Sequence, residues 1–339
     1  MSEVDLGIQR WRDAAWLAEV HDWVASELGR AGIVATGPSD QPRSYPWSTI
    51  LTFPTGRGTV WFKANAAGMR HEAALYEVLV RRSPQHVLEP VASDPARGWL
   101  LLPDGGPTMR AVEGAATDLS AWERMLREHA EMQRELVPYV DEVLAAGVPD
   151  ARPHRLPVIR STLLADRAVC RVGAEDGLSE EEYDRLLAAA PAYAEACAQL
   201  DALGVPASLQ HDDLHANNVF VPEDRSAPLR VFDWGDAVVG HPFGVLLISL
   251  RVVANLAKLD HGAPELLRLR DAYLEPWSAE FDPTSLLEAA RLASRLGGVT
   301  RADCYRRALL EATPAGWAEF GDGVPSWLAE MDKPTPIEP

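Results

Sequence analysis

Eight residues able to do chemistry crowd one stretch of this chain: His211, Asp212, Asp213, His215, Asn217, Asn218, Asp233 and Asp236, within "SLQHDDLHANNVFV" and "LRVFDWGDAVVG". A turn commonly uses one or two such residues, and here they alternate with strand-forming Val, Leu and Phe. Asn218 stands five positions after Asp213, and Asp233 stands 20 after it. That set suits phosphoryl transfer from a nucleotide. The attacking hydroxyl needs a carboxylate to orient it and accept its proton, and Mg2+ takes hard oxygen ligands from a carboxylate, an amide, water and the phosphates. Asp213 would be the base, with Asn218 and Asp233 as the ligands. A zinc reading of His211 and His215 lacks further soft ligands at useful spacing.

The spacing is that of a catalytic loop H-x-D-x-x-x-x-N followed by a metal segment D-x-G. The same chemistry needs an upstream strand lysine set against the phosphates by a helix glutamate. "TVWFKA" offers Lys63, and period-two alternation puts Trp61 and Lys63 on one face with Val60 and Phe62 on the other. Glu72 follows nine residues later, early in the helical stretch "GMRHEAALYEVLVRR". Glu77 is its rival, later in that stretch among apolar positions.

Together "LQHDDLHANNVFV" and "VFDWGDA" resemble the aminoglycoside phosphotransferase-like and choline kinase-like branch of the kinase superfamily, whose catalytic loop reads H-G-D-x-H-x-x-N and whose metal segment reads I-D-W-x-x-A. The resemblance runs over about residues 33–315 and is sharpest in the 26 residues from His211 to Asp236. It implies an α+β, two-lobed protein-kinase-like fold, with a small antiparallel-sheet N-lobe carrying one main helix and a larger, mainly helical C-lobe. It also implies ATP and Mg2+ as cofactors. Lys63 would contact the α- and β-phosphates with Glu72 as its partner, and His211 would brace the catalytic loop. Asp213 keeps the base role, with Asn218 and Asp233 on the metal. "WLLLPDG", Trp99 to Gly105, would be the hinge whose backbone, around Leu102 and Asp104, meets the adenine. Trp47 and Trp99 are the tryptophans expected near the nucleotide.

Two departures from the branch stand out. Asp212 occupies the usual glycine position, adding a charge beside the base that would favour a cationic substrate or a third metal contact. "DQPRSYPWSTI" stands where protein kinases have a glycine-rich phosphate loop. There Ser44, Ser48 and Thr49 would donate hydrogen bonds to phosphate, while Pro42 and Pro46 remove two backbone donors. His215 and Asp236 would brace the site or touch substrate.

The rest of the chain carries the pattern of a scaffold. Trp11, Ala14, Ala15, Leu17, Val20, Trp23, Val24 and Leu28 recur at helical spacing up to "GRAG". "STILTF" and "TVWFKA" around "PTGRG" predict a hairpin over 48–64, "GIVATG" a third strand, and "HVLEPVASD" and "GWLLLPDGG" two more. Beyond Asp104 the period is helical, through "LSAWERMLREHAEMQRELVPYVDEVLAAG" and "SEEEYDRLLAAAPAYAEACAQLDALG". The second opens with a Ser179–Glu182 capping box. Helical stretches "PFGVLLISLRVVANLAKL", "PELLRLRDAYLEPW", "TSLLEAARLASRLGG" and "TRADCYRRALLEA" follow the polar cluster, and the tail "DKPTPIEP" is expected to fray. The expected division is an N-terminal nucleotide-binding lobe, 1–104, and a helical catalytic and substrate-binding lobe, 105–339.

At 339 residues with 47% apolar side chains the chain can bury a sizeable core. Its net charge of −18, with no basic run, argues against nucleic acid and anionic membrane partners. Cys170, Cys197 and Cys304 are too scattered for a disulfide framework or zinc motif and fit a reducing cytoplasm. No apolar run reaches the roughly 18 residues of a membrane span, and "MSEVDLGIQRWRDAAW" lacks the order of a signal peptide. The expected partner is a small-molecule hydroxyl acceptor such as an amino sugar, aminoglycoside or amino alcohol; the acidic balance reads first as a solvated surface and would also suit a cationic acceptor. The pattern specifies no oligomeric state. Two rival readings share the fold. A nucleotide-binding regulator without turnover is disfavoured by the retained base, metal ligands and lysine. A protein kinase is disfavoured because "DWGDAVVGHPFGVLLISL" leaves little room for a peptide platform. No G-x-x-x-x-G-K-[ST] occurs, which argues against a P-loop NTPase.

Overall fold

The structure, a computed structural model, describes residues 5–112, 114 and 117–338; Met1–Val4 of the leading segment lie outside them. Five strands form one antiparallel sheet: β1 (Asp40–Ser44), β2 (Ser48–Thr55), β3 (Gly58–Asn65), β4 (Ala92–Asp94) and β5 (Trp99–Pro103), in the order β1-β2-β3-β5-β4. The predicted β2–β3 hairpin is paired without a slip from Ser48↔Asn65 to Thr55↔Gly58. Gly58 closes it at φ +103°, a conformation that strains any side chain. Helix α1 (Ala14–Arg30) starts where Asp13 accepts the N–H of Trp16. Its Trp16 and Trp23 pack on Phe62 and Trp99, filling one face of the sheet. Helix α2 (His71–Arg82) packs with Leu75, Tyr76 and Leu79 in the larger core that includes Leu100.

"GIVATG" gives only a bridge, Ala35↔Thr55. The third strand is instead β1, made of "DQPRS" from the stretch read as a phosphate loop. Its register shifts between Asp40 and Arg43, around Pro42, which has no N–H for the ladder and is tolerated on an edge strand at such a bulge. Of "HVLEPVASD" only Ala92–Asp94 is strand.

Helices then dominate. The two long helical stretches break at their prolines: Leu119–Leu136 gives way to a 3-10 turn holding Pro138, and Glu180–Ala188 restarts as Ala190–Ala202 with Pro191 in its first turn. Proline removes an intrahelical N–H and clashes with the preceding turn. The Ser179–Glu182 capping box is formed. Short strands carry the polar cluster: β6 (Asp150–Ala151), β7 (Ser208–Gln210), β8 (Val219–Phe220), β9 (Arg230–Val231) and β10 (Val238–Gly240), as sheets β6-β10-β7 and β8-β9. The loop of Asp213 joins β7 to β8, and β9 leads to Asp233. Over its described residues the tail is seated rather than frayed: Thr335 and Ile337 are buried, and Ile337 joins the main core. Among the described residues no helix is long and apolar enough to cross a membrane.

Candidate active site

Lys63 lies on β3 between Ile50 and Leu100. Alternation turns Phe62 into the α1 core and Lys63 to the other face. Its Nζ lies 2.5 Å from Glu72 Oε2 and 2.5 Å from Asp233 Oδ1. Burial works against the charge, but Asp233 and Glu72 outweigh it and hold the ammonium above its usual range. Glu72, buried in the first turn of α2, also accepts from Asn65 Nδ2 at 2.7 Å and from the backbone N–H of Trp234 at 2.9 Å. It therefore ties the sheet to the turn of Asp233. Glu77 instead accepts from the Ser93 hydroxyl at 2.8 Å.

Asp233 adopts φ +63°, ψ +58°, a left-handed conformation uncommon outside glycine. The Lys63 pair and the Trp234–Glu72 bond hold it there. Burial alone would raise its carboxyl; Lys63 foremost, then Arg43 and His211, bring it down to about 2. His211 is buried between loop and strand. Its Nε2 meets the Phe232 carbonyl at 2.9 Å, its Nδ1 accepts the Asp213 N–H at 3.3 Å, and its ring lies 4.6 Å from that of Trp234. One imidazole thus joins the two segments bearing Asp213 and Asp233.

Around Asp213, Asn218 Nδ2 donates to its carbonyl at 3.0 Å and to its Oδ2 at 3.3 Å, and His215 Nε2 lies 3.3 Å from the same oxygen. Burial pushes the Asp213 carboxyl up, but Arg301 and then His215 outweigh it and hold it below the usual carboxylate range. With its amide nitrogen engaged, Asn218 has its amide oxygen left for a cation. One carboxylate from Asp233 and one amide oxygen from Asn218 fit Mg2+, which completes its shell with phosphate oxygens and water.

Arg301, on the helix Gly298–Ala308, was not singled out in the sequence. It is 6% exposed; its Nη1 donates to Asp236 Oδ2 at 2.8 Å and to the Asp212 carbonyl at 2.9 Å, and its Nη2 lies 3.5 Å from Asp213 Oδ1. The only signal in the sequence is its place in the helical stretch "TRADCYRRALLEA". Asp236 is held by this arginine and faces the cleft.

Asp212 does not fit the expectation of a substrate or third metal contact. It is 2% exposed, and Gln210 Nε2 at 2.6 Å and Thr300 Oγ1 at 3.1 Å hold its Oδ1 behind the cleft. Burial raises its carboxyl to about 7 against the pull of Arg301, which already serves Asp213 and Asp236. From about pH 4 to 7 the folded chain keeps a proton that the unfolded chain releases, so this contribution to stability falls as pH rises and is gone above 7. Asp212→Asn cannot titrate, and asparagine tolerates the left-handed backbone at this position, φ +61°. Relative to the unaltered chain, its stability should improve by roughly 2–3 kcal/mol between pH 5 and pH 8, read from urea midpoints. Parallel pH curves for the two would refute the assignment.

Two cavities flank the Lys63–Asp233 pair. One, of about 440 Å³, is lined by Ile50, Trp61, Leu102, Asp104, Phe220 and Phe232. The other, of about 480 Å³, is lined by Trp47, Ser48, Asp213, Asp236, Tyr305 and Phe320. Arg43, Lys63 and Asp233 line both. Ser48 thus lies on the Asp213 side. Thr49 lies outside both linings, its hydroxyl engaged by Gln41, Ser44 and the Arg43 carbonyl. Trp99 is also displaced from expectation, being buried against Trp16 and Trp23. Trp99–Leu101 pair on both sides, with β3 and β4, so only the later part of the expected hinge, Leu102 to Asp104, reaches the first cavity.

A sheet lobe and a helical lobe, with a lysine–carboxylate pair between two cavities, define a protein-kinase-like phosphotransferase. The chain belongs to the phosphotransferase enzyme family, whose model matches residues 49–278, and it is a small-molecule kinase. No protein of curated function matches it. Among solved structures it resembles a Plasmodium vivax ethanolamine kinase (TM-score 0.62, 10% identity, covering 95% of this chain and 89% of that one). It also resembles a type I macrolide 2′-phosphotransferase (0.55, 14%, 93% and 97%). A third similar structure is an amicoumacin kinase in complex with AMP-PNP, Ca2+ and Ami (0.51, 13%, 94% and 98%).

Proposed function

We propose that the chain transfers the γ-phosphoryl group of Mg-ATP to a hydroxyl of a small cationic molecule in the cytoplasm. The observation that carries this reading is the Lys63–Asp233 pair in the wall common to both cavities. ATP lies in the cavity of Leu102 and Asp104, its phosphates directed past Lys63. The acceptor lies in the cavity of Asp213, where Trp47, Tyr305 and Phe320 beside Asp236 and Asp322 suit an amino sugar, aminoglycoside or amino alcohol.

The acceptor oxygen bonds to the γ-phosphorus as the bond from that phosphorus to the β,γ-bridging oxygen breaks, and the electron pair leaves on ADP. The acceptor's proton passes to the Asp213 carboxylate. Glu72 and Asp233 hold Lys63 in place, and His211 and His215 fix the loop, so the gain is positional and electrostatic. Mg2+, held by Asn218 and Asp233, would offset phosphate charge. ADP release measured across amino sugars, aminoglycosides, macrolides and amino alcohols tests the reading. At least one amine-bearing alcohol should raise release about tenfold or more over the ATPase background. Nucleotide binding with no acceptor-dependent release anywhere in the panel would favour a regulator instead.

A further inference from the structure

The proposed function leaves open what replaces a glycine-rich loop above the phosphates. The β1–β2 hairpin at that place has Pro42 and Pro46, neither with an N–H, and the Tyr45 N–H is bonded to the Ser48 carbonyl at 2.8 Å. A cradle of backbone donors is therefore largely closed off. The hairpin turn is instead held from behind: Trp11 Nε1 donates to the Tyr45 carbonyl at 2.8 Å, and Arg10 donates to that of Pro46.

Three cations approach the site, and two are already matched. Lys63 sits between Glu72 and Asp233, and Arg301 among Asp212, Asp213 and Asp236. Arg43 is the third. It is exposed on β1, lines both cavities, and among the described residues its guanidinium makes no hydrogen bond or ion pair with the protein. Being in the wall the two cavities have in common, it is set beside a group passing from one to the other rather than beside the adenine.

Resting on the proposed phosphotransfer, we infer that Arg43 is a clamp for the terminal phosphate, its planar N–H fork taking the place of the missing backbone donors. A guanidinium offers parallel donors matched to two phosphate oxygens. As the γ-phosphoryl group leaves ADP for the acceptor, the charge on its equatorial oxygens stays within reach of this fork, which is where such a donor aids transfer.

The test is titration of Mg-ADP and Mg-AMP-PNP, with turnover, for the unaltered chain, Arg43→Ala and Arg43→Lys. In Arg43→Ala, AMP-PNP affinity should fall about 10- to 50-fold while ADP affinity stays within about twofold, and kcat should drop about 100-fold. Arg43→Lys should fall in between, since it keeps charge without the fork. Unchanged ADP affinity also reports an intact fold. Equal losses for both nucleotides, or AMP-PNP affinity and kcat within about threefold of the unaltered chain, would overturn the clamp while leaving the phosphotransferase reading intact. An unaltered chain that binds neither nucleotide would instead overturn that reading, and the clamp with it.

Discussion

Asp213→Asn is expected to lower kcat about 10³-fold while Mg-ADP affinity stays within about twofold. The change keeps the size of the side chain and an oxygen for the Asn218 amide, so the loop has little reason to move. It removes the carboxylate that the proposal uses to align the acceptor hydroxyl and take its proton. Arg301 and His215 hold that carboxyl below its usual range. The unaltered enzyme should therefore show no acidic fall in kcat from Asp213 between about pH 6 and 8, where it is already ionised. Coupled detection of ADP gives the rate, and titration with nucleotide gives the affinity. A variant rate within about tenfold of normal would remove Asp213 from the role of base.

The separation of effects follows from the two cavities. Asp213 lines the acceptor side and is absent from the wall of the nucleotide side. Lys63 and Asp233 line both, so substitutions there should disturb binding and turnover together.

The order of parts was legible because each belongs to a local element that announces itself. A lone strand lysine, a glutamate in a helix's first turn and a polar loop between short strands all leave traces in neighbouring residues. Depth and long-range pairing leave none. Asp212 reads as one more acid beside the base, and only its contacts with Gln210 and Thr300 place it behind the cleft. "DQPRS" reads as loop because it stands where protein kinases carry a phosphate loop, yet an edge strand with a bulge accommodates Pro42, which has no N–H. Trp99 was expected at the nucleotide as part of the hinge, but its strand is paired on both sides and its ring meets the α1 tryptophans. The helix breaks fall at Pro138 and Pro191, while the apolar period runs across both positions.

Arg301 shows the limit most clearly, and its removal should have the broadest effect of any single change in the C-terminal lobe. It stands 88 residues from Asp213 and 65 from Asp236, and the local pattern says only that it is helical. In the fold it is the cation common to three carboxylates. Arg301→Ala leaves them buried or half-buried without it, a situation that costs about 3–5 kcal/mol when one partner of a buried pair is lost. The sign of the pH dependence separates this from simple loss of packing. Without the guanidinium the carboxyls of Asp212 and Asp213 rise in the folded state, so folding favours their protonated forms and stability falls further as pH increases. Urea midpoints should therefore show a larger loss at pH 8 than at pH 5.5. Where the variant still folds, its kcat should acquire an acidic fall nearer neutrality, because Asp213 is no longer held down. Arg301→Lys should recover only part of the stability, since a single ammonium cannot serve both the Asp236 and Asp212 acceptors of Nη1 and the Asp213 carboxylate beside Nη2. A loss of equal size at both pH values would mean that Arg301 fills space rather than neutralising the cluster.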